Sequence, residues 1–430
     1  DAQRLLGTID PNAYSPVFAD GSERRFDAAS REKLYIRIES ATFYALFGDF
    51  NTGLDQTQLA GYQRVATGVK TEANFGGLHL QGFAARIAAA HQRDEIQGQG
   101  ITGPYRLSNR EFIANSESVT IETRDRYRSG IIVDRRTLTR FVDYDVDLLA
   151  GTIRFREPVL SRDNAFNPQF IVIDYEIGQF ARGGKINGAL RADWTSPGKT
   201  VRLGMTAISD TGNGGEDQAR TNLGGMDVRF RPDEKSEIRA EFAASRSKGA
   251  TSFGWMVEAE RHDGRLDVLA YMRSADRDFG LGQLNSAERG RVKVGLDARY
   301  AISDRLSVSV SGWQDRGADG GPARQALELG TQLRTRNTDA RFGLHYMTDH
   351  LPSGENPQSL ILDAGITQRL FDNRLEVSAD TNLALGKAGS IDLPERQRIS
   401  ARLSVLRDVK LVASYEIAKG QSINARTFRA

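Results

Sequence analysis

There is no cysteine among these 430 residues, which excludes a disulfide framework, a thiolate metal site and a cysteine nucleophile. Histidine is scarce as well, with only His79, His91, His262, His345 and His350. Hydrophobic residues make up 39% against 27% charged, and mean hydropathy is −0.46. No run approaches the roughly 20 apolar residues that a membrane helix needs, so a helical membrane protein is excluded. An excess of one charge is also missing, because 58 basic and 56 acidic residues leave only +2. That balance gives no long-range field to hold nucleic acid. No phosphate-binding loop, dinucleotide fingerprint or HExxH motif occurs, and no cofactor is implied.

Proline is low too, 11 residues against 43 glycines, 12 tyrosines and 20 phenylalanines, a composition of many strands and turns. The stretch Ala301 to Gln314 shows the pattern. After a polar corner, Leu306, Val308 and Val310 point one way while Ser307, Ser309 and Ser311 point the other. That period of two belongs to a β-strand.

After Gly183 the pattern repeats. Short polar corners begin at Ser196, Pro232, His262, Ser303, Asn337, Asp372 and Arg407, spaced 36, 30, 41, 34, 35 and 35 residues apart. Midway between them lie Gly-rich connections: SDTGNGGEDQAR, SRSKGATS, SADRDFGLGQLNSAERG, DRGADGGPARQ, TDHLPSGENPQ and KAGSIDLPER. Each interval is therefore two strands, with tight turns at one end and longer loops at the other, which is how transmembrane β-barrels are arranged. The expected strands run to about 9 to 12 residues, the length a tilted strand needs to cross hydrocarbon, whereas sandwich strands are nearer 5 or 6. One face of these strands is apolar, as in Val201, Leu203 and Met205, or Phe342, Leu344 and Tyr346. The other is charged, and is expected to line the lumen: Arg191, Asp193, Arg202, Asp227, Arg229, Arg239, Glu241, Glu258, Glu260, Asp267, Arg273, Lys293, Asp297, Arg299, Glu328, Arg334, Arg341, Asp363, Arg369, Glu376, Asp380, Arg398, Arg402 and Glu416.

Ahead of this, residues 1 to 33 read as a polar lead-in and residues 34 to 100 as the first four wall strands, LYIRIES, TFYALFGDF, GYQRVATGVKTEA and a long one ending at AARIAAAH. Residues 101 to 177 have a different texture, denser in Arg and Asp and cut into short strands by Gly-Pro, Ser-Gly, Ala-Gly and Asn-Pro corners. They read as an inserted β-domain, which strand parity would place on the outer face, with 178 to 430 as the main barrel. The fold class is all-β, a transmembrane antiparallel up-and-down barrel of about 18 strands (16 to 20) carrying that insert.

On the turn and loop rhythm of residues 185 to 417, the chain resembles the outer-membrane β-barrels of Gram-negative bacteria. GPYRL, NSESV and DYDVDLLAGTIRF in the insert are similar to β-modules of large outer-membrane and surface-assembly proteins. Two departures stand out: no plug with the motifs of TonB-dependent receptors, and an end at Phe428, Arg429 and Ala430 in place of a terminal aromatic. With a start at DAQRLLGTID, that reads as a piece of a longer protein. The resemblance implies an outer-membrane location, lipid as solvent, and envelope or surface proteins as partners through 101 to 177.

The expected function is a channel or translocation pore for solutes or a larger substrate, and the competing one a membrane anchor of a larger assembly with a plugged lumen. No enzyme activity is expected. The one place for catalysis is His345 near Asp349 and His350, with no serine set beside them by any motif. Asp143, Asp145 and Asp147 offer oxygen ligands on one face but lack the glycine and distal glutamate of a Ca²⁺ loop, so no metal site is assigned. Trp194, Trp255, Tyr300, Tyr346 and Phe371 fall near strand ends, where interfacial aromatic girdles sit, and Trp313 falls on the polar side. The small serines at 307, 309 and 311 leave space on an otherwise charged face.

Overall fold

A computed structural model describes residues 35–429, apart from 88–89, 111–112, 114–115, 126–131, 164–165, 178–184, 212–219, 285–286, 387–394, 406–408 and 420–423. The polar lead-in 1–33, the middle of the expected loop after Asp210, most of KAGSIDLPER and the corner at Arg407 and Asp408 lie outside the described residues. The chain opens with β1 (Ile36–Glu39), β2 (Phe43–Asn51), β3 (Val65–Phe75) and β4 (Leu78–Ile87). Seven shorter strands follow: β5 (Ala90–Gln97), β6 (Tyr105–Arg106), β7 (Ser118–Arg124), β8 (Ile132–Leu138), β9 (Tyr144–Asp147), β10 (Thr152–Phe155) and β11 (Gln169–Ile177). Next come β12 (Lys185–Thr195), β13 (Val201–Asp210), β14 (Thr221–Asp233), β15 (Ser236–Ser247), β16 (Ala250–His262), β17 (Leu266–Ala275) and β18 (Arg291–Ala301). The chain finishes with β19 (Leu306–Gly317), β20 (Ala323–Arg334), β21 (Thr338–His350), β22 (Gln358–Leu370), β23 (Leu375–Ala384), β24 (Glu395–Ser404), β25 (Lys410–Lys419) and β26 (Asn424–Arg429).

Nineteen of these strands form one antiparallel sheet. β1 to β4 pair in sequence, β4 pairs with β12 from Leu78↔Trp194 to Ile87↔Lys185, and β12 to β26 again pair in sequence. No strand between β4 and β12 joins this wall. Among the described residues no ladder connects β26 to β1. The expected up-and-down topology is present, with two local differences. SRSKGATS, expected as a longer loop, is a two-residue turn at Lys248 and Gly249, both at positive φ (50° and 85°), the conformation that matches strand twist in a tight hairpin. The expected long strand ending at AARIAAAH divides, since β4 stays in the wall while β5 pairs with β11 outside it.

The seven strands from Ala90 to Ile177 make a four-stranded sheet in the order β5, β11, β7, β8 and a three-stranded sheet in the order β6, β10, β9. Between them is a buried core that includes Tyr105, Val119, Tyr144, Ile153, Phe155, Ile171, Ile173 and Tyr175. It is an ordinary core, with apolar groups inside.

The wall is built the other way round. Charged side chains lie deep on one face, Arg191 and Asp193 at 2% exposure and Asp380 at 4%, while apolar ones stand open on the other, Ile186 and Met205 at 64% and Ile399 at 63%. In water that arrangement would be strongly unfavourable on both faces. In lipid it is what a strand wall needs, because the hydrocarbon takes the apolar face and the ladder satisfies the backbone. The wall strands from β12 to β25 run ten to thirteen residues, long enough to span when tilted. We predict that Leu329→Arg, in the middle of the β20 apolar face, destabilises the folded state in lipid by about 2–4 kcal/mol. Gln332→Arg on the opposite face changes it little, and urea titrations in vesicles would register the contrast.

Candidate functional site: the charged face of the wall

Alternation gathers the charged residues on one face, and the register joins them across strands. Arg191 is the most enclosed. Its guanidinium donates to Asp193 (2.5 Å), to Thr206 Oγ1 (2.7 Å) and to Asp227 (2.8 Å), and Arg202 adds a contact to Asp193 at 3.1 Å. Gly204 lies where a Cβ would collide with Arg191 and Asp227; glycine there lets the arginine lie flat across β13. Gly365 does the same for Arg341 and Asp380.

The other expected lining residues fall on this face. Arg229 and Arg239 converge on Glu237 at 3.1 and 3.5 Å, and Arg239 also meets Glu258 and Glu260 at 3.1 and 3.4 Å. Arg273 and Lys293 meet at Glu288, Arg334 pairs with Asp339, and Arg369 and Arg402 share Glu376. Arg396 and Arg398 face Glu416. Asp267 contacts His262, and Ser311 donates to Asp297. An open depression of about 310 Å³ lies here, lined among others by Asp297, Arg299, Ser309, Ser311, Glu328 and His345. The serine strip therefore borders real space.

The histidine candidates do not assemble. His345 sits between Glu328 (3.2 Å) and Asp363 (3.5 Å), Asp349 is taken by Arg324, and His350 contacts Asn356. Trp313 is buried on the polar side and donates to Glu328. The three aspartates of the insert are engaged separately. Asp143 accepts from the Thr139 amide, Asp145 pairs with Arg156, and Asp147 accepts from the Leu149 and Ala150 amides. Among the described residues no group of three suitable side chains could hold a metal ion.

Sequence reading missed the segment 52–64. The expected strand from Gly61 starts only at Val65, and the residues before it fold over the polar face. The amides of Gln58 and Leu59 donate to Glu241, and Gln63 and Gln283 exchange two hydrogen bonds. Tyr62 stacks on Phe83 at 5.7 Å and donates to Asp210. From the segment Leu54 packs onto Phe50, Ala66, Ala85, Ala189, Ile208, Leu223 and Ala243 in one buried cluster. The available signal was the loss of charge at those wall positions, where small and apolar residues interrupt the Arg and Glu pattern. At the end of the segment Arg64 meets Glu176 of β11 (2.6 Å) and Asp210 (3.3 Å). Burial is the largest influence and opposes its charge, but Glu176, Tyr62 and Asp210 together outweigh it and hold Arg64 more firmly protonated than usual. Burial pushes the Tyr62 hydroxyl well up.

No protein-family model and no curated protein matches the chain. Solved structures overlap it loosely. A bacterial polysaccharide outer membrane secretin covers 57% of this chain and 88% of its own at 13% identity, with a TM-score of 0.31. The P pilus usher (PapC) translocation pore covers 90% and 83% at 10% identity and 0.33. The FrpB iron transporter from Neisseria meningitidis covers 92% and 69% at 10% identity and 0.32. All three are outer-membrane or pore and transport proteins. With overlap this loose, the class rests on the wall itself: this is an all-β sheet of the outer-membrane barrel type, apolar on one face and ion-paired on the other.

Two outcomes follow from these charges. Arg191→Ala strands Asp193 and Asp227 without their buried partner and is expected to remove about 3–5 kcal/mol of stability, read as a lower urea midpoint in vesicles. In the insert, Glu95 contacts Arg93 (3.0 Å) and Arg124 (2.9 Å). Burial raises its pKa, but the two guanidiniums outweigh it and hold the carboxyl below the ordinary value of 4.5. Its contribution is therefore complete above pH 4.5 and is lost as pH falls through the lowered value. Strands 90–177 should lose hydrogen-exchange protection as pH falls below 4.5 through the lowered value, with a smaller change in Glu95→Gln.

Proposed function

We propose that the chain forms the wall of a bacterial outer-membrane pore through which solutes, or a larger substrate, pass along a charged lumen. The observation that carries this reading is the covered, ion-paired polar face set opposite an apolar face open to lipid. A wall of 19 strands is wide enough to leave an aqueous interior, where about 8 would leave only packed side chains. Charges of both signs on such a face set ion and solute preference. The depression beside Ser309 and Ser311 supports an interior with room.

A second reading, an anchor or surface-assembly barrel with a filled interior, draws support from the segment 52–64 and from the insert, both of which reach the polar face. In that reading envelope proteins would meet the insert, whose turns carry Phe141, Val142 and Leu149 in the open. Both readings place lipid around the wall and the protein in the outer membrane.

Single-channel recording in planar bilayers separates them. Discrete conductance in the folded full chain, reduced by Ser309→Trp without loss of folding, is the expected result for the pore. A folded chain that never conducts under any condition would leave the anchor.

A further inference from the structure

Two connections at the long-loop end of the wall turn inward and meet. Segment 52–64 joins β2 to β3, and it leaves from that end because β3 and β4 meet at the opposite, tight turn beside Trp194. Residues 276–284 leave β17 at the same end, since β18 and β19 meet at the Ser303 corner. Neither stays at the rim. The Gln58 and Leu59 amides donate to Glu241 at 3.0 and 2.9 Å. Glu241 lies midway along β15, roughly 20 Å along the strand from the rim residue Ser247. From the other connection, Phe279 is buried against Gly254, where an added Cβ would stand 2.9 Å from the ring. The Gly280 amide donates to Ser245 Oγ at 3.0 Å.

The two connections are joined to each other as well. The Gln63 amide donates to Gln283 Oε1 at 2.9 Å, and Gln283 Nε2 donates to the Gln63 carbonyl at 3.2 Å. Leu54, Ala60 and Tyr62 of the first share one buried cluster with Phe279 of the second, and Leu59, Leu281 and Leu284 pack against it. That cluster draws on β2, β3, β4, β12, β13, β14, β15 and β17, close to half of the 19 wall strands. The wall is shaped to receive it. On β14 Leu223 and Gly225 precede Asp227 and Arg229, and on β15 Ala243 and Ser245 follow Arg239 and Glu241, so the charges stop where the inward segments begin. An added Cβ at Gly225 would stand 3.1 Å from that of Ala60. Lifting the segments would return Leu54, Tyr62 and Phe279 to water and strip Glu241 of two amide donors, and both changes are unfavourable.

We infer that 52–64 and 276–284 form one fixed shelf that narrows the passage at mid-depth, so that the pore admits small solutes and excludes a folded polypeptide. This inference rests on the pore reading above and chooses between the two kinds of substrate which that reading leaves open. The open side of the shelf carries Asp55, Gln58 and Gln63, polar groups past which hydrated solutes can move.

Hydrogen exchange and planar-bilayer recording on the full chain test the shelf and the narrowing separately. The Gln58, Leu59 and Gly280 amides should be protected in the wild type. Glu241→Ala should speed exchange at Gln58 and Leu59 about tenfold or more, the factor for losing a hydrogen bond to a charged group. Conductance in the presence of polyethylene glycols of graded mass reports the width, since polymers that enter lower it and those that stay out do not. Replacing 53–63 by a short Gly-Ser turn between the paired Asn51 and Val65 should raise conductance and shift the cut-off to larger polymers. Phe279→Ala, which keeps the chain length, should move both in the same direction by less. With no native cysteine, a short thiol cross-linker between Gln63→Cys and Gln283→Cys is specific, and it should leave conductance and cut-off at their wild-type values. Unprotected Gln58 and Leu59 amides in the folded wild type overturn the shelf, and a changed cut-off on cross-linking overturns its fixity. Protected amides with an unchanged cut-off after replacement of 53–63 overturn the narrowing. Protected amides with no conductance in any variant leave the shelf standing and defeat the pore reading instead.

Discussion

The wall depends on one constraint: a backbone in hydrocarbon has no water to bond to, so each strand must find its hydrogen bonds in a neighbour. The run of ladders from β1 to β4 and from β12 to β26 meets that demand for every strand with a neighbour on both sides, and the alternation of side chains follows from it. Once the strands are paired, every second residue must face lipid and every other one must not. Arginine and glutamate can then accumulate on the inner side only because they find each other there, as Arg191 finds Asp193 and Asp227.

Pairing of this kind also makes the face stiff. Glycine at 204 and 365 leaves room for guanidiniums to lie along the sheet, so the charges are spread over the wall as a surface layer of bonds. What covers the polar face comes from two sources that break the pattern in different ways. Segment 52–64 rests on wall positions that have given up charge for alanine and aliphatic residues. The 90–177 domain has a core of its own and touches the wall through arginines.

Much of this was legible in the chain. The period of two, the corner spacing after Gly183 and the opposition of Leu306, Val308 and Val310 to three serines are consequences of strand geometry, and they led to the antiparallel wall and to its polar face. The rest depends on long-range contacts that leave little local trace. Ala90–Gln97 alternates much as a wall strand does, and only its pairing with Gln169–Ile177 removes it from the wall. Gly61 to Arg64 carries aromatic and polar residues that fit a strand start, yet Tyr62 and Arg64 are held by Phe83, Asp210 and Glu176, partners distant in sequence. Lys248 and Gly249 sit in a glycine-bearing stretch that resembles a loop, and their positive φ angles make it a turn of two. His345, singled out for chemistry, is instead a bridge between two carboxylates.

The number of strands has a consequence of its own. Direction reverses at every step of the sheet, and 18 reversals bring β26 back to the heading of β1, so the first and last described strands of the wall run the same way. Brought together directly, they could form only a parallel joint, whose slanted bonds are slightly weaker per residue than those of the antiparallel ladders elsewhere. With β1 only four residues long, that joint would be no longer than the four-pair ladder that β1 makes with β2. A wall closed in that way would carry its two shortest ladders side by side on β1, so that strand would be the first to part.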